Sequence, residues 1–284
     1  MTGNNELCKN CFIKTYTKLL DKHADDPKIR DTFFQFFDAY YPKHSHLTTP
    51  EIQRDLNKRF SELVNIEDLY EQEKIDSNLH AMSLYDIWKA KLNQVEDVFT
   101  TTLKLAIAGN IIDYGANNDF NINETIDEVM ASDFAIDHSL ILKNKLKSAQ
   151  KILYLGDNAG EIVFDKLFIE TNMQDKDVAF AVKGGPILND VTIVDAVQTG
   201  MDKTARIISN GDDAPSTILS RCSDEFLSEF QSADLIISKG QGNLEGLFRL
   251  NDKRIFFLLM VKCSVIADIL KVKKGEYVIV NQQE

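Results

Sequence analysis

The chain has 284 residues, of which 32 are basic and 44 acidic, so its formal net charge is −12 at neutral pH. A surface of this sign repels nucleic acid and anionic lipid, so we expect neither as a partner, although a small phosphate ester needs only a few well-placed cations. Four cysteines do not make a disulfide framework in a chain of this length. We see no secretory signal, and no apolar run approaches the ~18 residues of a membrane span. These features predict a cytoplasmic protein.

Residues 1–150 have the pattern of a helical region. Apolar residues recur there at helical spacing, and β-branched runs are scarce. Thr49-Pro50-Glu51 is a typical helix start, with a hydroxyl cap and a proline in the first turn. Gly115 can end a later helix. Helical stretches are predicted over residues 49–94, 96–114, 124–129 and 139–148.

At Lys151 the pattern changes to short apolar strands that alternate with helices. The predicted strands are 152–155, 178–182, 206–209, 235–238, 255–261 and 277–280, and the predicted helices between them are 161–171, 190–198, 223–230, 244–250 and 264–270. This alternation is typical of a mainly parallel sheet covered on both faces. We therefore predict an α/β fold, with a helical region over residues 1–150 that lines the site and a doubly wound, Rossmann-like domain over residues 151–284.

Polar side chains are concentrated in three loops that follow predicted strands. These loops are Gly156-Asp157-Asn158-Ala159-Gly160-Glu161, the segment from Lys183 to Asp190, and Lys239-Gly240-Gln241-Gly242-Asn243. In an open parallel sheet, ligands bind beyond the carboxyl ends of the strands. Two carboxylates and an amide suit Mg²⁺ or Mn²⁺, and nearby lysines would hold a phosphoryl group. Taken singly, the acids and the amide could equally be helix caps, and Lys239 could be a solvated loop lysine.

A further polar pair, Asn110 and Asp113, lies in the predicted helix before Gly115. The two residues are three positions apart and therefore share a helix face. Such residues are costly inside an apolar helix unless they have partners, so they either cap the helix end or face the active site. The helical pattern alone favours capping.

Read in order, these motifs resemble the damage-control phosphatase family. The resemblance spans nearly the whole chain, and the Gly-Asp-Asn-Ala-Gly-Glu string after a strand is its most specific part. Cys8-Lys9-Asn10-Cys11 is similar to the prokaryotic branch. The matching elements, in order, are Cys8–Cys11, Gly109–Asp113, Gly156–Glu161, Lys183–Asp190, Asn210-Gly211 and Ser238-Lys239-Gly240.

The resemblance implies a phosphatase that hydrolyses small phosphorylated metabolites such as sugar phosphates, nucleotides or damaged phospho-metabolites. It implies a divalent metal (Mg, Mn, Co or Ni) held by Asp157, Asn158 and Asp190, and a substrate phosphate near Lys239, which we expect to be catalytic. Asp157 is either a metal ligand alone or the nucleophile, and the metal-ligand role is preferred. The residues expected to bind substrate are Asn110, Asp113, Glu161, Lys183 and Gly240. Eukaryotic members have an acid where Gln241 stands here, which leaves the substrate open.

Two other functions compete with this prediction. A glycine-rich loop after a first strand also occurs in S-adenosylmethionine-dependent carboxyl methyltransferases. Those enzymes usually have an acidic residue at the end of the second strand, where it binds the ribose hydroxyls, and this chain has Lys183 there. A nicotinamide site lacks the required glycine spacing. A non-enzymatic metal-binding protein could be built on Cys8 and Cys11, which supply two of the four ligands of a structural zinc site. Cys222, Cys263 or the pair His44 and His46 could complete such a site only if the fold brings them close.

Overall fold

The computed structural model describes residues 6–109 and 122–282, with the backbone alone for residues 122–125. The helices before the first strand are α1 (Glu6–His23), α2 (Pro27–His44), α3 (Thr49–Val64), α4 (Glu71–Lys91), α5 (Val98–Gly109) and α6 (Ile122–Ala131). The single stretch predicted over residues 49–94 is therefore two helices. Asn65 ends α3 in the left-handed conformation (φ 56°), which asparagine tolerates better than most residues. The predicted helix end at Gly115 lies outside the described residues.

A seven-stranded sheet forms the centre of the α/β part. Its elements follow in the order β1 (Ile136–Asp137), α7 (Ser139–Ser148), β2 (Lys151–Leu155), α8 (Glu161–Asn172), β3 (Asp177–Val182), α9 (Ile193–Gln198), β4 (Arg206–Ser209), α10 (Asp224–Ser232), β5 (Leu235–Lys239), α11 (Gly240–Leu247), β6 (Ile255–Met260), α12 (Ser264–Leu270) and β7 (Tyr277–Asn281). The strand order is β1-β7-β6-β5-β2-β3-β4, and only the β6–β7 pair is antiparallel. The predicted α/β class is confirmed. The two-residue strand β1, which precedes residue 151, was missed because two residues carry too little pattern.

Helices cover both faces of the sheet. Side chains of β2 alternate between two cores, with Ile152 and Tyr154 in one and Leu153 and Leu155 in the other. The first core contains buried residues of α5, α7 and α8, and the second contains residues of α10, α11 and α12. A third, largely aromatic core joins α1, α2 and α3. The described helices include none that is long and apolar enough to cross a membrane.

The strand order determines where a ligand site can form. From β2 the chain proceeds to β3 and β4 on one side, while β5 and β6 lie on the other. The loops after β2 and β5 therefore leave the sheet in diverging directions, and a crevice opens between them at the carboxyl edge. Helix α3 closes over this edge, since Arg54 forms ion pairs with Asp212 and Asp213 in the loop after β4.

Candidate active site

A cavity of about 420 Å³ lies at the carboxyl edge of the sheet. Helices α1 and α3 form one wall, and the loops after β2, β3 and β6 together with the start of α11 form the other. Three predicted metal ligands lie on this second wall, namely Asp157, Asn158 and Asp190. The cavity therefore lies between the two parts of the chain that differ in sequence pattern.

Backbone pairing holds these three predicted ligands together. Asn158 and Asp190 form an isolated antiparallel bridge, and the N–H of Val191 donates to the carbonyl oxygen of Asp157 at 2.8 Å. The side chains are also linked, because Asn158 Nδ2 donates to Asp157 Oδ2 at 2.7 Å. The exposed fractions are 8% for Asp157, 6% for Asn158 and 4% for Asp190. Oxygen donors from two separate loops are thus gathered in a nearly buried group.

The charge at Asp190 is poorly compensated. Burial raises the pKa of Asp190, and the neighbouring charge of Asp157 raises it further, against the opposing effect of Lys183. Asp190 Oδ2 is buried and accepts no hydrogen bond from the described residues, although Lys183 Nζ stands 3.4 Å from it. An arrangement of two buried carboxylates and an amide oxygen is the chemistry that fits a hard divalent cation.

Lys183 lies behind Asp190 and does not line the cavity. Its ammonium donates to the carbonyl oxygen of Ser216 at 3.0 Å and to Asn243 Oδ1 at 3.2 Å. Asn243 in turn donates to the carbonyl oxygen of Gly156 at 3.1 Å. The structure therefore makes Lys183 a support for the carboxylate wall, whereas direct contact with substrate stays a prediction.

Lys239 occupies a different place from the one expected for a phosphate-binding residue. Its side chain is fully buried and does not line the cavity. The ammonium donates to Asp165 Oδ1 at 2.6 Å, to the carbonyl oxygen of Ala106 at 2.8 Å, and to Glu161 Oε1. Lys239 ends β5 with its side chain directed at α5 and α8, and two acids there offset the cost of burying its charge.

Glu161 connects this buried ion pair to the candidate metal ligands. Its Oε2 accepts hydrogen bonds from the backbone N–H and from Nδ2 of Asn158, both at 3.2 Å. Glu161 is itself buried and does not line the cavity. The structure thus brings Glu161, Lys239 and Asn158 together in one network beneath the cavity, rather than placing the first two against a ligand.

Gly240 makes room for Asp157. It has a φ of +77°, and a Cβ built there would collide with the carboxylate of Asp157.

Asn110 and Asp113 lie outside the described residues, so their predicted place in the pocket stays a prediction.

Sequence reasoning missed Lys262, which does line the cavity. It lies two residues beyond β6, and within the described part of the chain its ammonium forms no ion pair. Its charge lowers the pKa of Asp190, although less than Lys183 does, so the two residues are near each other. The position of Lys262 just past the carboxyl end of an apolar strand could have indicated a place in the ligand site.

The cysteine pair also meets the cavity. Cys8, Cys11 and Cys263 all line it, and all are free thiols. The other proposed partners lie elsewhere, since Cys222 neighbours Asp212 and His44 stacks on Tyr40. In residues 6–109 and 126–282, no three His, Cys, Asp or Glu side chains are arranged to hold a metal ion. A four-ligand structural zinc site on Cys8 and Cys11 is therefore not formed by the described residues.

The fold is that of an α/β protein with a cavity at the carboxyl edge of its sheet. Oxygen donors from Asp157, Asn158 and Asp190 line this cavity together with the ammonium of Lys262. Residues 5–278 match the damage-control phosphatase ARMT1-like domain, and the chain belongs to this family. The phosphatase class predicted from the motifs is thereby confirmed at the level of the family.

Individual relatives agree with this assignment. The chain is 39% identical to a damage-control phosphatase of Pyrococcus horikoshii over 215 residues, covering 75% of this chain and 74% of the relative. It is 32% identical to a damage-control phosphatase of Archaeoglobus fulgidus over 241 residues, covering 84% and 82%. The crystal structure of a DUF89 family protein from P. horikoshii superimposes with a TM-score of 0.90 at 31% identity, covering 98% of this chain and 99% of that one.

Proposed function

We propose that this protein is a metal-dependent phosphatase that hydrolyses phosphomonoesters of small metabolites. The observation that carries the proposal is the convergence of Asp157, Asn158 and Asp190 on one wall of a cavity that Lys262 also lines. Carboxylate and amide oxygens suit a metal-bound phosphate ester, and so does a nearby ammonium that forms no ion pair with the described residues. The names of the relatives support the same reaction class.

Asp157, Asn158 and Asp190 are the residues that would hold the divalent cation, Mg²⁺, Mn²⁺, Co²⁺ or Ni²⁺. Such a cation supplies positive charge to phosphoryl oxygens and favours ionisation of water. Asp157 serves here as a ligand rather than a nucleophile, because the Asn158 amide and the close approach of Gly240 restrain its carboxylate.

The ammonium of Lys262, which lines the same cavity as the proposed metal ligands, would bind the phosphoryl group as a compact positive charge. The start of α11 assists it, since Gln241 and Gly242 line the same cavity and the amino end of a helix favours an anion. Together these groups would orient the ester and stabilise the negative charge that develops on its oxygens.

Lys239 and Glu161 would act as positioning residues. Lys239 offsets the charge of Glu161, and Glu161 holds the backbone and amide of Asn158 in place. This role replaces direct phosphate contact for Lys239 and direct substrate contact for Glu161. Asn110 and Asp113 are proposed, on the resemblance alone, to contribute to the pocket.

The test is a phosphatase screen over sugar phosphates, nucleotides and simple alkyl phosphates with protein stripped by EDTA and then given each divalent metal. We expect no turnover after stripping and recovery with Mg²⁺, Mn²⁺, Co²⁺ or Ni²⁺. Asp190→Asn should lose both turnover and calorimetric Mn²⁺ binding, whereas Asp86→Asn, on the exposed side of α4, should retain both. Full turnover by metal-free protein would contradict the proposal.

A further inference from the structure

A carboxylate lies in the cavity away from the proposed metal ligands. Glu245 lines the same cavity as Asp157 and belongs to α11, whose first residue, Gly240, packs against the Asp157 carboxylate. Glu245 is five residues further along this helix. At about 1.5 Å of rise per residue, its backbone lies roughly 7–8 Å along the helix axis from Gly240, which marks the metal end of the cavity. If the phosphate of a substrate is held at that end, Glu245 faces its organic part.

The carboxylate of Glu245 has no ion-pair partner among the residues that the structure describes. Gln241 Nε2 donates to Glu245 Oε1 at 3.1 Å, and within the described part of the chain no lysine, arginine or histidine side chain forms an ion pair with this carboxylate. Two thiols of the described residues are also close to it, since its charge adds to the raised pKa values of Cys8 and Cys11, which burial chiefly causes. Burial likewise raises the pKa of Glu245 itself.

The positive charge in the cavity lies elsewhere. Of the lysine, arginine and histidine side chains that the structure describes, Lys262 alone lines the cavity, and the proposed function assigns it to the phosphate. The rest of the wall carries apolar side chains such as Leu7 and Phe12 from α1, the thiols, and uncharged polar side chains such as Thr49 and Gln53. A second anionic group on a substrate would therefore meet a half-buried carboxylate that forms no ion pair with the described residues, and like-charge repulsion there is stronger than in bulk water.

We propose that Glu245 determines substrate specificity by excluding phosphate esters whose organic part carries a second negative charge. The substrate class is then monophosphates with an uncharged or cationic organic group, and phosphorylated acids and bisphosphates are rejected. This inference rests on the proposed phosphatase function and adds to it the chemistry of the group next to the phosphate. Specificity would then arise because Glu245 repels unsuitable substrates, not because it forms an additional contact with suitable ones.

The experiment compares two three-carbon esters that differ by one charge, glycerol 3-phosphate and 3-phosphoglycerate. Both are assayed at pH 8.5 with Mn²⁺, using the parent, Glu245→Gln and the matched control Glu67→Gln, whose carboxylate is exposed and outside the cavity. We expect the parent to prefer glycerol 3-phosphate by roughly tenfold or more in kcat/KM, from like-charge repulsion across a few ångströms. Glu245→Gln should reduce this preference to about twofold by improving phosphoglycerate turnover, and Glu67→Gln should behave as the parent.

Several outcomes would overturn the proposal. One is a parent with equal kcat/KM for the two esters, and another is an unchanged preference in Glu245→Gln. The proposal would also fail if Glu245→Gln lowered turnover of glycerol 3-phosphate and left the ratio of kcat/KM for the two esters unchanged. The carboxylate would then be binding hydroxyl groups of the substrate. Calorimetric binding of both esters to the Mn²⁺-loaded proteins measures the same preference without turnover. A parent that binds selectively but hydrolyses neither these esters nor any ester of the screen above would refute the phosphatase function and still support this role of Glu245.

Discussion

Asn78 in α4 accepts a hydrogen bond at 2.7 Å from the backbone N–H of Gly160, in the loop that carries Asp157 and Asn158. The amide of Asn78 also donates to Asp195 Oδ1 and to Gln198 Oε1, both at 2.9 Å. One fully buried side chain of the helical region therefore holds the candidate metal loop and the helix α9 at once. Gly160 itself has a φ of +78°, a conformation that glycine adopts without the steric cost of a side chain.

Asn78→Ala should therefore weaken both the fold and the site. It leaves the Gly160 N–H without its side-chain acceptor and removes the donor to Asp195 Oδ1, at a cost of about 1–3 kcal/mol in the free energy of unfolding. Turnover should fall while the protein is still folded, because the loop with Asp157 and Asn158 loses its support. Urea unfolding and steady-state kinetics check this, and Asn144→Ala, exposed on α7, is the control. Parental kcat/KM in the Asn78 variant would show that the loop holds its own geometry.

Lys239→Met should destabilise the protein strongly. It removes the cation from a buried group with Glu161 and Asp165, and breaking a buried pair of this kind costs about 3–5 kcal/mol. Adding Asp165→Asn to the same chain should restore part of the stability, because less uncompensated charge stays buried. Unfolding midpoints in urea measure both effects. If the Lys239→Met protein instead kept the parental stability and lost only turnover, Lys239 would have to contact the substrate phosphate directly.

Lys262→Ala should give the opposite pattern. Its ammonium lines the cavity and forms no ion pair with the described residues, so its loss should leave the free energy of unfolding within about 0.5 kcal/mol of the parent. Loss of a charge-assisted contact to the phosphoryl group should lower kcat/KM by roughly 10²–10³-fold. Kinetics on an alkyl phosphate, with the exposed Lys274→Ala as control, measure this. Near-parental kcat/KM would place the phosphate elsewhere in the cavity.

Stability should depend on pH through Asp165. Burial raises the pKa of Asp165 from 3.8 to about 7, against the opposing effect of Lys239. The folded protein therefore binds the proton more tightly than the unfolded chain, so the contribution of this carboxyl to stability is present below pH 3.8 and is lost as the pH rises towards 7. The free energy of unfolding of Asp165→Asn should fall less over this window than that of the parent. Equal pH dependence in the two proteins would mean that Asp165 is ionised when folded across the window.

The α/β class and the proximity of Asp157, Asn158 and Asp190 could be predicted from local sequence patterns. Apolar runs of four to seven residues identified strands β2 to β7, because strands that are largely buried in a parallel sheet leave that pattern whatever surrounds them. Once β2 and β3 were recognised as parallel, their following loops had to share one edge of the sheet. The bridge between Asn158 and Asp190 is the consequence.

The environments of the two lysines could not be predicted in this way, because they depend on how distant parts of the chain pack. Lys239 and Lys262 both follow apolar strands, yet one is buried with Glu161 and Asp165 while the other lines the cavity. The difference arises because α8 presents those two acids to the end of β5 and α5 contributes the carbonyl oxygen of Ala106, from 133 residues earlier in the chain. The environment of a strand-end side chain depends on which distant helix packs over it, and that packing is a long-range property absent from the local pattern.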